Sequence, residues 1–338
     1  MSDHLYSAAL AHFDKIGPVR MRHLLKTFPS VEAIWRAPLS ELRAGGLDEK
    51  VAGEFVAWRA DRKPEQEWEQ LQKEGIWVIT WDDIAPSPQP SPTKVGEGGT
   101  RPLPLPAGEG GRRPGEGNYP ALLKQIHDPP HTLFVRGTLP QSDFTLGVVG
   151  TRMATVYGRQ IVEQIVAPLA RSGMIVVSGL ALGIDALAHD VTIREGGITV
   201  AVLGGGCDRA SIYPTSNRAL AERILEHGGA LISEYPPGTL AMPFHFPNRN
   251  RIISGMSRGV FVIEAAEDSG SLITARAALD QNREVFTVPG DITRDTSKGP
   301  NNLLKMGAHP VLAHEDILDA LKLQPLPLPR SSGSLRGL

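Results

Sequence analysis

The chain has 338 residues, with 35 Lys and Arg against 37 Asp and Glu, and 41% of its residues are hydrophobic. This composition is enough for about two domains and excludes a protein coated with basic charge, so nucleic-acid binding would need a focused patch. Cys207 is the only cysteine, which excludes an intramolecular disulfide. No apolar run approaches the ~20 residues of a membrane span, and the N-terminus lacks a signal-peptide pattern. We therefore expect a soluble cytoplasmic protein.

Residues 1–62 are predicted to form a small helical N-terminal module. Amphipathic runs predict helices over 5–13, 19–28, 31–36 and 50–58. The pair Gly17-Pro18 separates the first two runs. Helices joined by such a turn are typical of SAM or helix-hairpin-helix modules, where amides at a helix start can hold a phosphate. An ordinary helical bundle explains the same pattern equally well.

Residues 84–117 differ in composition from the rest of the chain. Their 34 positions contain 8 Pro, 8 Gly and no aromatic residue. Such a segment buries too little apolar surface to offset its ordering entropy, so we predict a disordered insertion. It divides a lead-in, 63–83 and 118–142, to the domain that follows. A second disordered stretch is predicted for the tail, 324–338.

Residues 143–323 alternate between strand and helix patterns. Apolar runs predict strands over 144–150, 174–177, 198–203, 230–233, 260–263 and 284–288. Helices are predicted over 156–171, 215–227, 251–256 and 271–280. Near-continuous apolar strands are typical of strands buried on both faces. The sequence therefore predicts an α/β domain with a doubly wound, mostly parallel sheet.

Small residues and one arginine follow the predicted strands. The first strand is followed by Gly150, Thr151 and Arg152, the second by Ser178 and Gly179, and the third by three glycines at 204–206. Carboxyl ends of parallel strands meet at one sheet edge, where glycine loops and helix N-termini can bind phosphate. Neither G-x-x-x-x-G-K-[ST] nor G-x-G-x-x-G occurs there, so we expect no P-loop and no dinucleotide cofactor.

Residues 244–259 read FHFPNRNRIISGMSRG and contain no acidic residue. The stretch holds three arginines, Arg249, Arg251 and Arg258, beside Phe246. A basic, aromatic window inside a nearly neutral chain indicates a local anion site. It precedes a predicted strand, which places it at the rim of the sheet.

Five residues admit a catalytic or metal-binding interpretation beside a structural one. Asp185 and His189 lie four apart and could form an acid–base or ligand pair, but a helix-start aspartate and a locally bonded histidine are favoured. Cys207 has no neighbouring histidine and is interpreted as structural. Glu234 and Glu264 end strands, where they could act as a base or, more commonly, bond backbone amides. We expect no metal site.

Nine motifs, taken in this order, resemble the DNA-processing protein A (Smf) family. They are YPALLKQIHDPPHTLFVRG, VVGTR, SGLALGIDALAH, TVAVLGGGCDRASIYPTSN, LISEYPPG, FPNRNRIISG, SGSLITARAAL, REVFTVPGDI and GPNNLLKMGAHPV. The resemblance implies a helical module followed by an extended Rossmann-like domain. It further implies a homodimeric protein without cofactor that binds incoming single-stranded DNA during natural transformation and helps load the RecA recombinase.

The resemblance also implies where single-stranded DNA binds. The expected contacts are Gly150, Thr151, Arg152, Ser178, Gly179, Phe246, Asn248, Arg249 and Arg251. Arginines and amides would hold phosphates, and Phe246 would stack a base or else anchor its loop against the core. One of the arginines could instead pair with Glu264.

Three features depart from the family pattern. The insertion at 84–117 interrupts the link to Tyr119, and Asp268 stands where a basic residue is expected. The terminal residues PLPLPRSSGSLRGL predict that the C-terminal winged helix of many members is missing.

A rival function is a Rossmann-like nucleotide N-glycosidic hydrolase with Glu264 as base, although its P-G-G-x-G-T motif is absent. A nucleotide sensor is the third alternative.

Overall fold

The computed structural model describes residues 2–83 and 118–322. The predicted insertion at 84–117 and the predicted tail at 324–338 lie outside this range. The helices are α1 (Ser2–Leu10), α2 (Pro18–Thr27), α3 (Val31–Arg36), α4 (Leu39–Ala44), α5 (Glu49–Arg59), α6 (Pro64–Lys73), α7 (Ala121–Lys124), α8 (Val156–Ile161), α9 (Ala167–Arg171), α10 (Ile184–Arg194), α11 (Arg218–Glu226), α12 (His245–Gly255), α13 (Gly270–Asp280), α14 (Asp295–Lys305) and α15 (His314–Ala320). A π-helical turn (Val162–Val166) joins α8 to α9, and a 3-10 turn (Thr215–Asn217) precedes α11.

The strands form one mostly parallel sheet. They are β1 (Ile76–Thr80), β2 (Thr132–Gly137), β3 (Thr145–Val149), β4 (Ile175–Ser178), β5 (Thr199–Leu203), β6 (Ala230–Ser233), β7 (Gly259–Val262), β8 (Glu284–Thr287) and β9 (His309–Pro310). Their order is β1-β2-β6-β5-β4-β3-β7-β8-β9. All pairs among β3–β9 are parallel, and β2 is antiparallel to both β6 and β1. The predicted fold class is confirmed.

Helices cover both faces of the sheet, as the continuous apolar strands predict. Side chains of α12, α13 and α7 share one core with β3–β8, in which Val177, Val202, Val262 and Ile253 are buried. On the opposite face, α8–α10 and α15 pack against Leu146, Val148 and Phe261. The sheet is therefore buried on both faces, and polar side chains that could bind a ligand lie at its edges.

The N-terminal helices have a core of their own. Leu24, Ile34, Leu42 and Phe55 are fully buried there, within a cluster of aromatic rings from α1–α5. The predicted helices 19–28, 31–36 and 50–58 appear as α2, α3 and α5. This module adjoins the β1 side of the sheet, where the imidazole of His4 hydrogen-bonds the Asp83 carboxylate at 2.8 Å.

Two elements differ from the predictions. β1 and β2 were not predicted as strands, and they extend the sheet beyond β6. The helix predicted from residue 251 begins at His245, so Arg249 and Arg251 are helical. Pro247 is compatible with this earlier start, because an N–H in the first helical turn has no partner within the helix.

Asp83 and Tyr119, which flank the segment 84–117 in sequence, are hydrogen-bonded to each other. The carbonyl oxygen of Asp83 accepts a hydrogen bond from the Tyr119 amide at 2.5 Å. β1 runs parallel to β6, since each is antiparallel to β2, so Asp83 lies at the carboxyl edge of the sheet. Within residues 2–83 and 118–322, no helix has the length and apolar character that a bilayer crossing requires.

Candidate nucleic-acid interface

The loops after β3 and β4 are in direct contact at the carboxyl edge. The amide of Ile184 donates to the Thr151 carbonyl at 3.1 Å. Gly183 has φ +76°, and a Cβ at this position would overlap the carbonyls of Thr151 and Arg152. Only glycine meets both conditions without strain. The contact fixes the position of the loop that carries Arg152.

Arg249 is a buried cation beneath these loops. Its side chain is 5% exposed, and Nη1 donates to the Val202 carbonyl at 2.7 Å. The guanidinium lies against the Cα of Gly179, because a Cβ there would overlap it. Burial lowers the pKa of Arg249 to about 10, while nearby Asp185 acts in the opposite direction. Arg249 is therefore still protonated at neutral pH.

Arg152, Phe246 and Arg249 converge at this edge. The guanidinium carbon of Arg152 lies 5.5 Å from the centroid of the Phe246 ring, and that of Arg249 lies 5.9 Å away. The ring also packs against Gly204, at the end of β5. Arg152 is exposed and has no ion pair among the residues that the structure describes. One accessible and one buried cation therefore flank the same aromatic ring.

Ser178 and Gly179 lie directly below the cluster and are both buried. The Ser178 hydroxyl donates to the Val148 carbonyl at 2.6 Å, across to β3. The Gly179 amide donates to the Asp185 carboxylate at 3.0 Å. These polar groups already have protein partners, so their visible role is to shape the floor on which Arg249 lies.

Arg251 lies on the same helix as Arg249 but within a cluster of carboxylates. Its Nη2 donates to both oxygens of Glu234 at 2.7 Å, and its Nε lies 3.1 Å from Asp128. Burial raises the pKa of Glu234, an effect that the Arg251 charge opposes. Arg251 does not form the alternative pair with Glu264, because its guanidinium contacts Glu234 and Asp128 instead. Its charge is largely balanced within the protein, in contrast to Arg152.

The rest of the 244–259 window is not a single site. Arg258 lies at the opposite edge of the sheet, where it pairs with the Asp143 carboxylate and donates to the Asp143 carbonyl. Arg258 therefore lies apart from Arg249, and both Arg251 and Arg258 are paired with carboxylates. Asn248 is exposed on α12.

The candidate catalytic residues have partners within the protein. Glu264 is buried and accepts from the Thr155 amide at 3.0 Å and the Thr155 hydroxyl at 2.6 Å. His189 is fully buried against the Thr199 hydroxyl at 2.7 Å, and burial lowers its pKa to about 3. Burial raises the pKa of the Cys207 thiol, which suppresses the thiolate. Across residues 2–83 and 118–322, no cluster of potential ligands could hold a metal ion.

The three glycines at 204–206 are covered by protein backbone. The Gly206 amide donates to the Thr239 carbonyl at 2.9 Å, and a Cβ at Gly205 would lie 2.8 Å from that same oxygen. The Gly204 carbonyl oxygen lies 2.9 Å from Nδ1 of His245. Close backbone packing therefore accounts for the glycines at these positions. The exposed surface at this edge is formed by the side chains above them.

Tyr213 is a neighbour of the cluster that the sequence reasoning did not select. Its ring centroid lies 6.1 Å from that of Phe246, and the residue is 53% exposed. Tyr213 occurs in the motif TVAVLGGGCDRASIYPTSN, downstream of β5. Its position in the loop after β5 is the sequence feature that could have indicated a role in binding. A single tyrosine in a loop does not by itself indicate a binding site.

Comparison with known proteins places the chain in a family. A family model described as DNA recombination-mediator protein A matches residues 113–322, more than half of the chain. The chain belongs to the DNA recombination-mediator protein A family. It is 46% identical over 205 residues to the DNA processing protein DprA of Bacillus subtilis, a match that covers 60% of this chain and 68% of that protein.

Two solved structures of this family are similar to the fold. One is DNA processing protein A from Streptococcus pneumoniae, with a TM-score of 0.70 and 28% identity, covering 93% of this chain and 97% of that one. The other is DNA processing protein A from Helicobacter pylori, with a TM-score of 0.55 and 28% identity, covering 61% and 94%. The second was determined to describe how that protein binds single-stranded DNA.

Proposed function

We propose that this protein binds single-stranded DNA, without sequence preference, at the carboxyl edge of its sheet. The convergence of Arg152 and Arg249 on the Phe246 ring is the observation that carries the proposal. Sequence-independent binding of a single strand needs cations for the phosphates and aromatic faces for the bases. Both are present here within one cluster, and the homologue from Helicobacter pylori is described as binding the same polymer.

The two arginines have different roles in this proposal. Arg152 is exposed on a loop that the Gly183 contact holds in place, so it can pair directly with a phosphate. Arg249 is a fixed charge below the surface, where burial reduces the screening of its field by water. Gly150 and Thr151 position Arg152, and Asn248 lies at the rim of the cluster.

Arg251, Ser178 and Gly179 act as positioning residues in the proposed site. Arg251 ties α12 to Glu234 and Asp128, which fixes the helix that carries Arg249. Ser178 and Gly179 form the closely packed floor under the Arg249 guanidinium. These residues are buried or paired, so we assign the phosphate contacts to the accessible side chains above them.

We propose in addition that the bound strand is passed to the RecA recombinase during natural transformation, and that the protein acts as a homodimer without catalysis. The family description, a recombination mediator, supports this assignment. Faster RecA filament formation on single strands coated with single-strand-binding protein would support the transfer step. Equal rates with and without the protein would contradict it, and sedimentation analysis tests the dimer.

The binding proposal is tested by titrating a labelled oligo(dT) at several salt concentrations. Arg152→Ala is expected to weaken binding several-fold and to reduce the slope of log K against log salt by about 0.7, one phosphate contact on a single strand. Arg258→Ala is the matched control, because Arg258 lies at the opposite edge in a pair with Asp143. Equal losses in the two variants would contradict a localised site, and no binding by the wild type would refute the function.

A further inference from the structure

Tyr213 is an aromatic side chain presented beside the phosphate-binding cluster. Its ring and that of Phe246 are 6.1 Å apart and tilted by 43°, so the two rings are not stacked on each other. More than half of the tyrosine remains accessible, at 53% exposure. A large aromatic surface therefore faces solvent next to Arg152 and Arg249.

The loop that carries Tyr213 is firmly anchored. Ile212, its neighbour, is 1% exposed and belongs to the core between α11 and the sheet. Asp208 accepts hydrogen bonds from the Ser211 amide at 3.1 Å and from the Gly238 amide at 2.8 Å. These contacts join the loop after β5 to the loop after β6 and hold Tyr213 in place before any ligand arrives.

A second anchor connects the Tyr213 loop to the floor of the site. The Asn217 side chain donates to the Leu180 carbonyl at 2.9 Å and to the Ala181 carbonyl at 3.2 Å. Leu180 follows Gly179, on which the Arg249 guanidinium lies. The exposed ring and the buried cation are thus attached to the same short segment after β4.

The surrounding loops leave further apolar surface exposed. Leu182, after β4, is 45% exposed, and Leu240, after β6, is 70% exposed. An anchored aromatic ring, on an edge that also exposes apolar side chains, is suited to the face of a planar, weakly polar group. The nucleobases of a single strand present such faces, whereas those of a duplex are stacked on one another and paired.

We propose that Tyr213 is a base-stacking residue, which takes a nucleobase next to Phe246 while Arg152 holds an adjoining phosphate. The inference rests on the single-strand binding proposed above and adds a contact for the bases. In this proposal the aromatic pair binds the bases, and the arginines account for the salt dependence of binding.

The test compares an oligo(dT) of about 20 nucleotides with an abasic oligonucleotide of the same length. Tyr213→Ala is expected to weaken oligo(dT) binding about 5-fold or more, with an unchanged salt slope, because stacking releases no counterions. Binding of the abasic strand is expected to stay the same. Tyr213→Phe retains the ring and is the matched control, expected to bind oligo(dT) within about 2-fold of the wild type.

A fluorescence readout keeps the test decisive if Tyr213→Ala folds poorly. A single 2-aminopurine in the oligonucleotide is expected to be quenched by the wild type and by Tyr213→Phe, and less quenched by Tyr213→Leu. Unchanged oligo(dT) affinity in Tyr213→Ala, or an equal loss on the abasic strand, would overturn the stacking role while leaving single-strand binding intact. Absence of oligo(dT) binding by the wild type would refute both proposals.

Discussion

Arg152 and Arg249 lie 5.5 Å and 5.9 Å from the centroid of the same Phe246 ring, but their surroundings differ. Arg152 is exposed, whereas Arg249 is 5% exposed, bonded to the Val202 carbonyl and close to Asp185. Losing an exposed arginine costs little folding free energy, about 0.5 kcal/mol or less. Removing a buried one leaves Asp185 without its cation and is expected to cost several kcal/mol. Substituting Arg152 should therefore weaken DNA binding with little change in stability, whereas substituting Arg249 should reduce both.

Gly179→Ala tests the floor beneath Arg249. The added Cβ would overlap the guanidinium, so Arg249 has to move or the strand end has to shift. We expect a loss of about 1–3 kcal/mol in the free energy of unfolding, measured in urea, together with weaker binding of oligo(dT). Gly53→Ala in α5 is the control: nothing lies within 4 Å of its new Cβ, and helix propensity predicts a gain of about 0.5–1 kcal/mol. Wild-type behaviour of Gly179→Ala would contradict the packing.

At the scale of elements, the strands β3–β8 could be predicted because each is a short, continuous apolar run. β1 and β2 could not, since their pairing joins segments on either side of the insertion. The predicted start of α12 is too late because Pro247 suggests a loop, although a first helical turn accommodates proline.

The candidate site was predictable to the extent that it depends on local order in the sequence. Arg152, Phe246 and Arg249 each follow or approach a predicted strand end, and the topology brings them together. The pairing of Arg251 with Asp128 and of Arg258 with Asp143 depends on residues more than 100 positions away. No local pattern reveals such partners, so the sequence alone could not show that Arg258 lies apart from Arg249.

Residues 84–117 are expected to be dispensable for folding and for DNA binding. Replacing residues 84–117 by a linker of about three Gly and Ser residues is expected to preserve the fold and oligo(dT) affinity, because the Asp83 carbonyl and the Tyr119 amide already meet. A shorter loop costs less closure entropy, so the free energy of unfolding should be unchanged or higher by about 1–2 kcal/mol. Urea unfolding and the binding titration check this; a large loss in either would show that the segment contributes directly.

For the whole molecule, stability should depend on pH through buried histidines. Burial lowers the pKa of His189 to about 3 and that of His131 to about 4. Between about pH 6.5 and these values the unfolded chain binds protons that the folded chain excludes, so stability is full above about 6.5 and falls with acidification. Each histidine contributes up to about 1.4 kcal/mol per pH unit in that window.

His189→Gln is therefore expected to lose about 2 kcal/mol less stability than the wild type between pH 7 and pH 5, as measured by urea unfolding. The comparison is of slopes, so a general destabilisation of the variant does not affect it. His227→Gln is the control, since His227 is exposed at the end of α11. Parallel pH profiles for the wild type and His189→Gln would show that this histidine titrates alike in both states.

The junction of Asp83 and Tyr119 has a practical consequence. It lies on the carboxyl edge, two strands beyond β6 and so roughly 10 Å along the sheet from the end of that strand. A fluorescent domain spliced in at this junction would project on the same side as Arg152 and Tyr213. The fold thus supplies an attachment point from which an optical sensor could report occupancy of the neighbouring surface in real time.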